Sequence, residues 1–251
     1  MTRNTLKKGR RVISIIPARG GSKRFKNKNT AVFCHHPLSL WTFSFVQNSG
    51  LFDIGYVNTD IPELISSIDN YNNLEYCERS PDLSTDDSTI LDVVRDTCVK
   101  KSLHDEDIIV LLPVTGVLRT YEDVSLGICE YLKGDGEAVV SVSESSYPAG
   151  MLWKKKSDNY LTPLLSHDFK MTTQKQKHFP TYMFNDLFVI DTVGNFLNFD
   201  RNLYGNRTKA FITPQERFMP IDYQYQFFLA EKLFELGQES GIYPSNIKKK
   251  V

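Results

Sequence analysis

The sequence predicts an α/β fold, a parallel or mixed sheet covered by helices, and two observations carry that expectation. Short β-branched apolar runs alternate with stretches whose apolar residues recur at helical spacing. The composition, 41% hydrophobic and 24% charged over 251 residues, is that of an ordinary globular protein. Length alone admits one large domain or two smaller ones. No internal repeat, low-complexity tract or linker divides the chain, so 1–251 reads as a single domain.

Val12-Ile13-Ser14-Ile15-Ile16 is the first candidate strand, and a glycine-containing basic loop follows from Ala18 to Asn29. Leu38 to Asn48 fits a helix with Leu38, Trp41, Phe45 and Val46 near one face. Ile54 to Asn58 reads as a strand. Asp60-Ile61-Pro62-Glu63 then resembles a capping box with Pro62 in the first turn, and Ile61, Leu64, Ile65 and Ile68 continue at helical spacing. A further helix begins near Thr85 and carries Ile90, Val93, Val94 and Cys98. Asp107 to Leu112 is the most apolar run and belongs at the centre of the sheet. Tyr121 to Leu132 is helical, Ala138 to Val142 is a strand, and Leu187 to Ile190 another. A last helix fits Tyr223 to Leu236, with Tyr225, Phe228, Leu229 and Lys232 on one stripe. From Pro148 to Thr181 lysines, glutamines and aromatics mix without a clean period.

Formal net charge is zero, which argues against broad electrostatic binding to nucleic acid or to a membrane. Any anionic ligand must be held by a local basic cluster. Cys34, Cys77, Cys98 and Cys129 form neither a C-x-x-C pair nor a zinc pattern with the five histidines, so reduced, buried thiols are expected. The apolar stretch after the basic N-terminus, Val12 to Ile16, is too short for a signal-peptide core, and no run approaches a membrane span. A soluble cytoplasmic protein is the expectation.

The densest chemistry lies in Ala18-Arg19-Gly20-Gly21-Ser22-Lys23-Arg24-Phe25-Lys26-Asn27-Lys28-Asn29. Two glycines permit a tight turn with N–H groups open to an anion, and five basic side chains can neutralise a triphosphate. Just after the first strand, this loop falls at the carboxyl edge of the sheet, where open α/β folds bind ligands. It is neither G-x-x-x-x-G-K-[ST] nor G-x-G-x-x-G. A solvated basic turn is the plainer alternative.

The segment resembles the signature A-R-x-x-S-K-x-x-x-x-K-N of the acylneuraminate cytidylyltransferase family, which includes synthetases of CMP-sialic acid and their legionaminate, pseudaminate and Kdo relatives. Ala18, Arg19, Ser22, Lys23, Lys28 and Asn29 carry the match. Similarity continues in order from about Val12 to Glu231. Asn58-Thr59-Asp60 resembles S-T-D, Glu78 to Asp86 resembles R-P-x-x-L-A-x-D, and Leu112 to Thr120 resembles L-Q-P-T-S-P-L-R-T. Pro220-Ile221-Asp222 stands where the family has D-I-D.

The resemblance implies a three-layer α/β/α Rossmann-like, mostly parallel sheet of the nucleotide-diphospho-sugar transferase type, with a small dimerisation insertion at about 148–185. It implies a homodimer that uses CTP, Mg²⁺ and an acidic nine-carbon sugar, releases pyrophosphate, and feeds surface-glycan assembly. On the matching positions it assigns Arg19, Lys23 and Lys28 to catalysis at the CTP phosphates. It makes Ala18, Gly20, Gly21, Ser22 and Asn29 the rest of the nucleotide loop, puts Arg79 near the nucleotide, and makes Asp222 a metal ligand.

Three departures bear on chemistry. Pro220 replaces the first aspartate of D-I-D and offers a metal no side-chain donor. Pro113 and Val114 replace the glutamine and proline of L-Q-P-T, removing side-chain hydrogen bonds that could read the ligand. Asp186 replaces the glycine of N-G-A-I-Y-I, implying an altered substrate or a blocked pocket. These departures keep two alternatives open: a catalytically impaired relative that binds nucleotide or a partner, and a nucleotidyltransferase for another sugar acid. Elsewhere two readings stand side by side. Asp60 and Asp222 are helix N-caps or functional carboxylates, and Arg119 is a structural salt-bridge partner or a ligand contact. Lys170, Lys175, Lys177 and His178 are a solvated face or part of a subunit-contact arm, and Tyr182, Met183 and Phe184 are core or dimer packing.

Overall fold

The computed structural model describes residues 9–85, 87–134, 138–147, 149–165, 179–198, 208–245 and 247. Lys170, Lys175, Lys177 and His178 lie outside the described residues.

The strands are β1 Val12–Ala18, β2 Val32–Phe33, β3 His36–Pro37, β4 Ile54–Thr59, β5 Leu74–Glu78 and β6 Ile108–Leu111. They continue with β7 Val139–Glu144, β8 Trp153–Lys155, β9 Leu161–Pro163, β10 Tyr182–Thr192 and β11 Lys209–Thr213. The helices are α1 Leu38–Ser49, α2 Pro62–Ile68, α3 Ile90–Lys100, α4 Tyr121–Lys133, α5 Val193–Asn198 and α6 Gln224–Glu239.

Seven strands form one sheet in the order β11-β7-β10-β6-β1-β4-β5. The β1–β4, β4–β5, β1–β6 and β7–β11 pairs are parallel, while β10 runs antiparallel between β6 and β7. The expected central strand, β6, is the middle one. Alternation along β1 explains why every residue in it is buried. Val12, Ile16 and Ala18 face a core shared with α1, α2, α4 and α6, whereas Ile13 and Ile15 face one shared with α3 and α5. A sheet covered on both faces needs apolar residues on both, hence the unbroken run. The three-layer α/β/α expectation holds.

Some boundaries differ from the sequence reading. The helix expected from near Thr85 starts at Ile90 instead, because Thr89 and Asp92 form a reciprocal capping box there, and Pro81–Ser84 is a separate 3-10 turn. Asp60 does not cap α2. Ile61 occupies the cap position, its N–H bonded to Thr59 Oγ1 at 3.1 Å. The stripe Tyr225, Phe228 and Leu229 is the exposed side of α6, and Phe227, Ala230 and Phe234 are its buried face.

Candidate functional site

The chain leaves β1 at the sheet centre, builds β4 and β5 toward one edge, then crosses back to β6 on the other side of β1. Reversal of strand order opens a crevice beyond the carboxyl ends of the strands. A cleft of about 340 Å³ lies there, lined by Arg19, Ser22, Lys28 and Asn29 of the loop after β1 and by Arg79 after β5. Pro113, Val114 and Thr115 after β6, Thr89 and Ile90 at the start of α3, Phe184, Asp186 and Phe188 of β10, and Asp222 complete much of its wall.

The structure thus gathers Arg19, Ser22, Lys28, Asn29, Arg79 and Asp222 around one space. Lys23 is exposed on the loop and, with Ala18, Gly20 and Gly21, does not line the cleft. The glycines also act differently from expectation. Neither takes left-handed backbone, and the Gly20 N–H donates to Asp60 Oδ1 at 2.8 Å. Asp60 Oδ2 accepts from Ser84 Oγ at 2.8 Å, so this carboxylate ties the basic loop to the turn after β5. The sharp bend comes at Asn27, with φ of 54°, just before the 3-10 turn that carries Lys28.

Two side chains fix the rest of the loop. Asn29 Nδ2 donates to Arg19 O at 2.8 Å, while Asn29 O accepts from Ser39 Oγ on α1, also at 2.8 Å. Lys28 Nζ donates to Ile221 O at 2.5 Å and stands 3.5 Å from Asp222 Oδ1. Burial lowers the Lys28 pKa, and the charge of Asp222 opposes that shift. Asp222 also pairs with Arg24 at 3.1 Å. It does not cap α6, for Gln226 Oε1 reaches back to accept from the Asp222 and Tyr223 N–H groups at 2.8 and 2.9 Å. Asp222 is therefore a cleft carboxylate.

Arg79 spends its donors on the protein. Nε and Nη2 reach Leu83 O at 3.0 and 2.5 Å, and Nη1 reaches Asn58 Oδ1 at 3.5 Å. It shapes the cleft and contributes its charge there. Arg119 is 3% exposed, does not line the cleft and, among the described residues, forms no salt bridge. Its guanidinium donates to Leu187 O and Thr42 Oγ1 at 2.9 and 3.0 Å and to Pro113 O, bracing the walls from behind.

Asp186 lies in a bulge of β10, where register shifts between Phe184 and Val189. Its φ is 57°, a conformation glycine takes more readily and aspartate tolerates. It lines the cleft without closing it. Its carboxyl is reachable by water yet crowded, and burial, followed by the charge of Asp222, raises its pKa. In the sequence Asp186 stands out only as a replaced glycine, and the start of α3 is hidden because helical spacing alone begins that helix near Thr85.

Among the described residues, Cys34, Glu231 and Glu235 also bring ligand-type atoms within 4.8 Å of one another, outside the cleft. Burial first, then the two glutamates, push the Cys34 thiol up to about 12, so the metal-free thiol is protonated at neutral pH.

Residues 13–233 match a family model described as cytidylyltransferase. CMP-N,N'-diacetyllegionaminic acid synthase of Legionella pneumophila is 30% identical over 236 residues, covering 92% of this chain and 99% of that protein. N-acylneuraminate cytidylyltransferase of Streptococcus agalactiae is 29% identical over 217 residues, covering 86% of this chain but 51% of that one, so this chain spans about half its length. The solved structure of CMP:2-keto-3-deoxy-manno-octonic acid synthetase complexed with CTP superimposes with a TM-score of 0.64 over 91% of this chain and 99% of that chain, at 14% identity. This likeness is one of fold.

Proposed function

The chain belongs to the cytidylyltransferase family, and on that premise we propose that it transfers CMP from CTP to a nonulosonic acid of the sialic, legionaminic or pseudaminic type, releasing pyrophosphate. The observation that carries this reading is the convergence of Arg19, Lys28 and Arg79 with Asp222 in one cleft at the switch point of the sheet. The relatives named above act on CTP or on sugars of this class.

In this reading the sugar's anomeric hydroxyl attacks the α-phosphorus of CTP, its proton passes to solvent, and the bond from the α-phosphorus to the oxygen bridging to the β-phosphate breaks. Charge moves onto the leaving pyrophosphate. Arg19 and Lys28 offset that charge, Lys23 approaches from the loop's exposed side, and Ser22 and Asn29 set the loop's shape. Ala18, Gly20 and Gly21 supply its backbone. Arg79 adds fixed charge from the wall. Burial strengthens the contributions of Lys28 and Arg79 because water screens them less.

Mg²⁺ is the proposed cofactor. The donor set fits: Mg²⁺ takes one or two carboxylates and fills its remaining positions with phosphates and water, and Asp222 offers such a carboxylate beside the phosphate-binding cations. When bound, it would neutralise phosphate oxygens. A homodimer is proposed from the hairpin β8–β9, where Trp153 and Leu161 are exposed beside Lys154 and Lys155. Among the described residues no helix is long and apolar enough to cross a membrane. Free thiols at Cys34, Cys77, Cys98 and Cys129 accord with a cytoplasmic setting.

The test is pyrophosphate release from CTP and Mg²⁺ with a panel of nonulosonic acids. Release with one member identifies the substrate. Silence across the panel from folded, CTP-binding protein overturns this substrate class.

A further inference from the structure

The β10 bulge is held too firmly to be an accident of register. Asn185 Nδ2 donates to Ser143 Oγ and Thr213 Oγ1 at 2.9 and 2.7 Å. Ser141 Oγ bonds both backbone groups of Phe188 at 3.0 Å. Arg119 Nε holds Leu187 O, and the turn after β6 packs so closely that a Cβ on Gly116 would stand 2.2 Å from Asp186 O. These contacts fix the bulge on both sides of Asp186 and leave its carboxylate at the cleft wall with Asp222 and Lys28. Bulges re-aim side chains in this way beside functional sites.

One observation independent of the bulge points to a ligand there. Asn29 Oδ1 is buried in the wall of the same cleft with no hydrogen-bond partner, on a residue only 6% exposed. An orphan acceptor at that place calls for a donor or a cation. Meanwhile residue 220, two positions before Asp222, is a proline and supplies no side-chain oxygen.

We propose that Asp186 and Asp222 together hold the divalent cation, one carboxylate from the β10 bulge and the other from the approach to α6. The carboxylate absent at residue 220 is thus supplied from the sheet. The inference rests on the cleft being the nucleotide site and deepens that reading. Two hard oxygen donors suit a cation that also takes phosphate oxygens and water. The competing role for Asp186 is as a counter-charge to Arg119, whose hydrogen bonds go to carbonyls and a hydroxyl rather than to a carboxylate. In that case loss of Asp186 would cost stability and leave cation affinity intact.

The experiment titrates Mn²⁺ into the protein with saturating CTP and no sugar, reading free Mn²⁺ by electron paramagnetic resonance. Asp186→Asn and Asp222→Asn are each expected to weaken Mn²⁺ binding by about 100-fold. Asp186→Glu should recover part of the loss. The double variant Asp186→Gly with Pro220→Asp should return to within about tenfold of wild type. Metal-free CTP binding, followed by calorimetry, should be retained or tightened once a negative charge has gone. Wild-type Mn²⁺ affinity in Asp186→Asn overturns the proposal. So does a loss matched by a lower melting temperature and not recovered in the double variant. Should CTP fail to bind at all, the nucleotide reading falls, and the same titration with Mn²⁺ alone still decides the carboxylate pair.

Discussion

Asp191 shows what one carboxylate inside the sheet does to stability. It is fully buried, and its Oδ1 accepts from Thr192 N–H at 2.8 Å, Asn195 Nδ2 at 2.6 Å and the Tyr131 hydroxyl at 3.3 Å, while Oδ2 has no partner. Burial raises its pKa against the pull of those hydrogen bonds. With the folded pKa above the unfolded one, its stabilising contribution is fully present below the ordinary carboxylate value. It is lost as pH rises through the folded pKa. Asp191→Asn should therefore gain stability relative to wild type at pH 7.5 and lose that advantage near pH 4, read by urea unfolding at both. An equal difference at the two pH values would show that its ionisation is irrelevant. Cys98 behaves in parallel: burial pushes its thiol up to about 12. Iodoacetamide at pH 8 should label the half-buried Cys129 first and reach Cys98 and Cys34 only on unfolding, as mass spectrometry would show. Lys28 was legible in the sequence because basic residues crowd the loop after β1, and Asp222 through the resemblance of Pro220-Ile221-Asp222 to D-I-D. Asp186 was legible only as a substitution. Its aim depends on Ser141, Ser143 and Thr213 from neighbouring strands, which no local pattern reveals.

At the scale of elements, Gly127 decides how closely α4 lies on the sheet. A Cβ there would stand 2.7 Å from Phe188 Cε2 and 3.1 Å from Ile190 Cδ1, both on β10. Alanine would gain about 1 kcal/mol in helix propensity, but overpacking a filled interface costs about 1–3 kcal/mol. The second effect should win. Gly127→Ala is expected to lower stability by about 1 kcal/mol and to disturb Phe188 at the cleft wall, raising KM as well. A more stable variant would mean that the helix can lift freely. The start of α4 is set by Thr120, whose hydroxyl accepts from Asp123 N–H at 3.2 Å while Asp123 reaches back to the Thr120 N–H at 3.0 Å. Thr120→Ala should cost about 1 kcal/mol in a thermal melt. Strands β1, β4, β6 and β7 and most helices could be read from hydrophobic pattern because the sheet centre buries both faces. Edge strands β5 and β11 escaped notice for the converse reason. Leu74–Glu78 buries only Leu74 and Cys77, and Lys209–Thr213 buries only Thr213, so neither leaves a clean apolar run. The exposed stripe on α6 shows the opposite error: apolar periodicity locates a helix without saying which side faces in.

For the whole molecule, an unexplained feature is the set of large apolar residues left exposed on the hairpin after β7 and at the entry to β10. Among the described residues, hairpin β8–β9 pairs only with itself, and every residue of β8 is exposed. A lone two-stranded hairpin is marginal in water unless something covers it. Around it Leu152, Trp153, Tyr160, Leu161 and Leu164 are exposed, as are Phe179, Tyr182 and Phe184 at the entry to β10. A second copy of the chain meeting this surface would cover the hairpin. Phe184 makes the link to function, since it belongs both to the exposed group and to the cleft wall. Closing the interface would then order one side of the site. Trp153→Glu with Leu161→Glu should convert a dimer to a monomer in sedimentation equilibrium. The seven-stranded sheet, which the hairpin strands do not join, should keep its melting temperature within a few degrees, apart from the loss due to dissociation itself. Turnover should fall more than CTP affinity, because the loop after β1 would be intact while the Phe184 side would not. A wild-type protein that sediments as a monomer would remove the premise. A double variant that dissociates but turns over normally would separate assembly from catalysis.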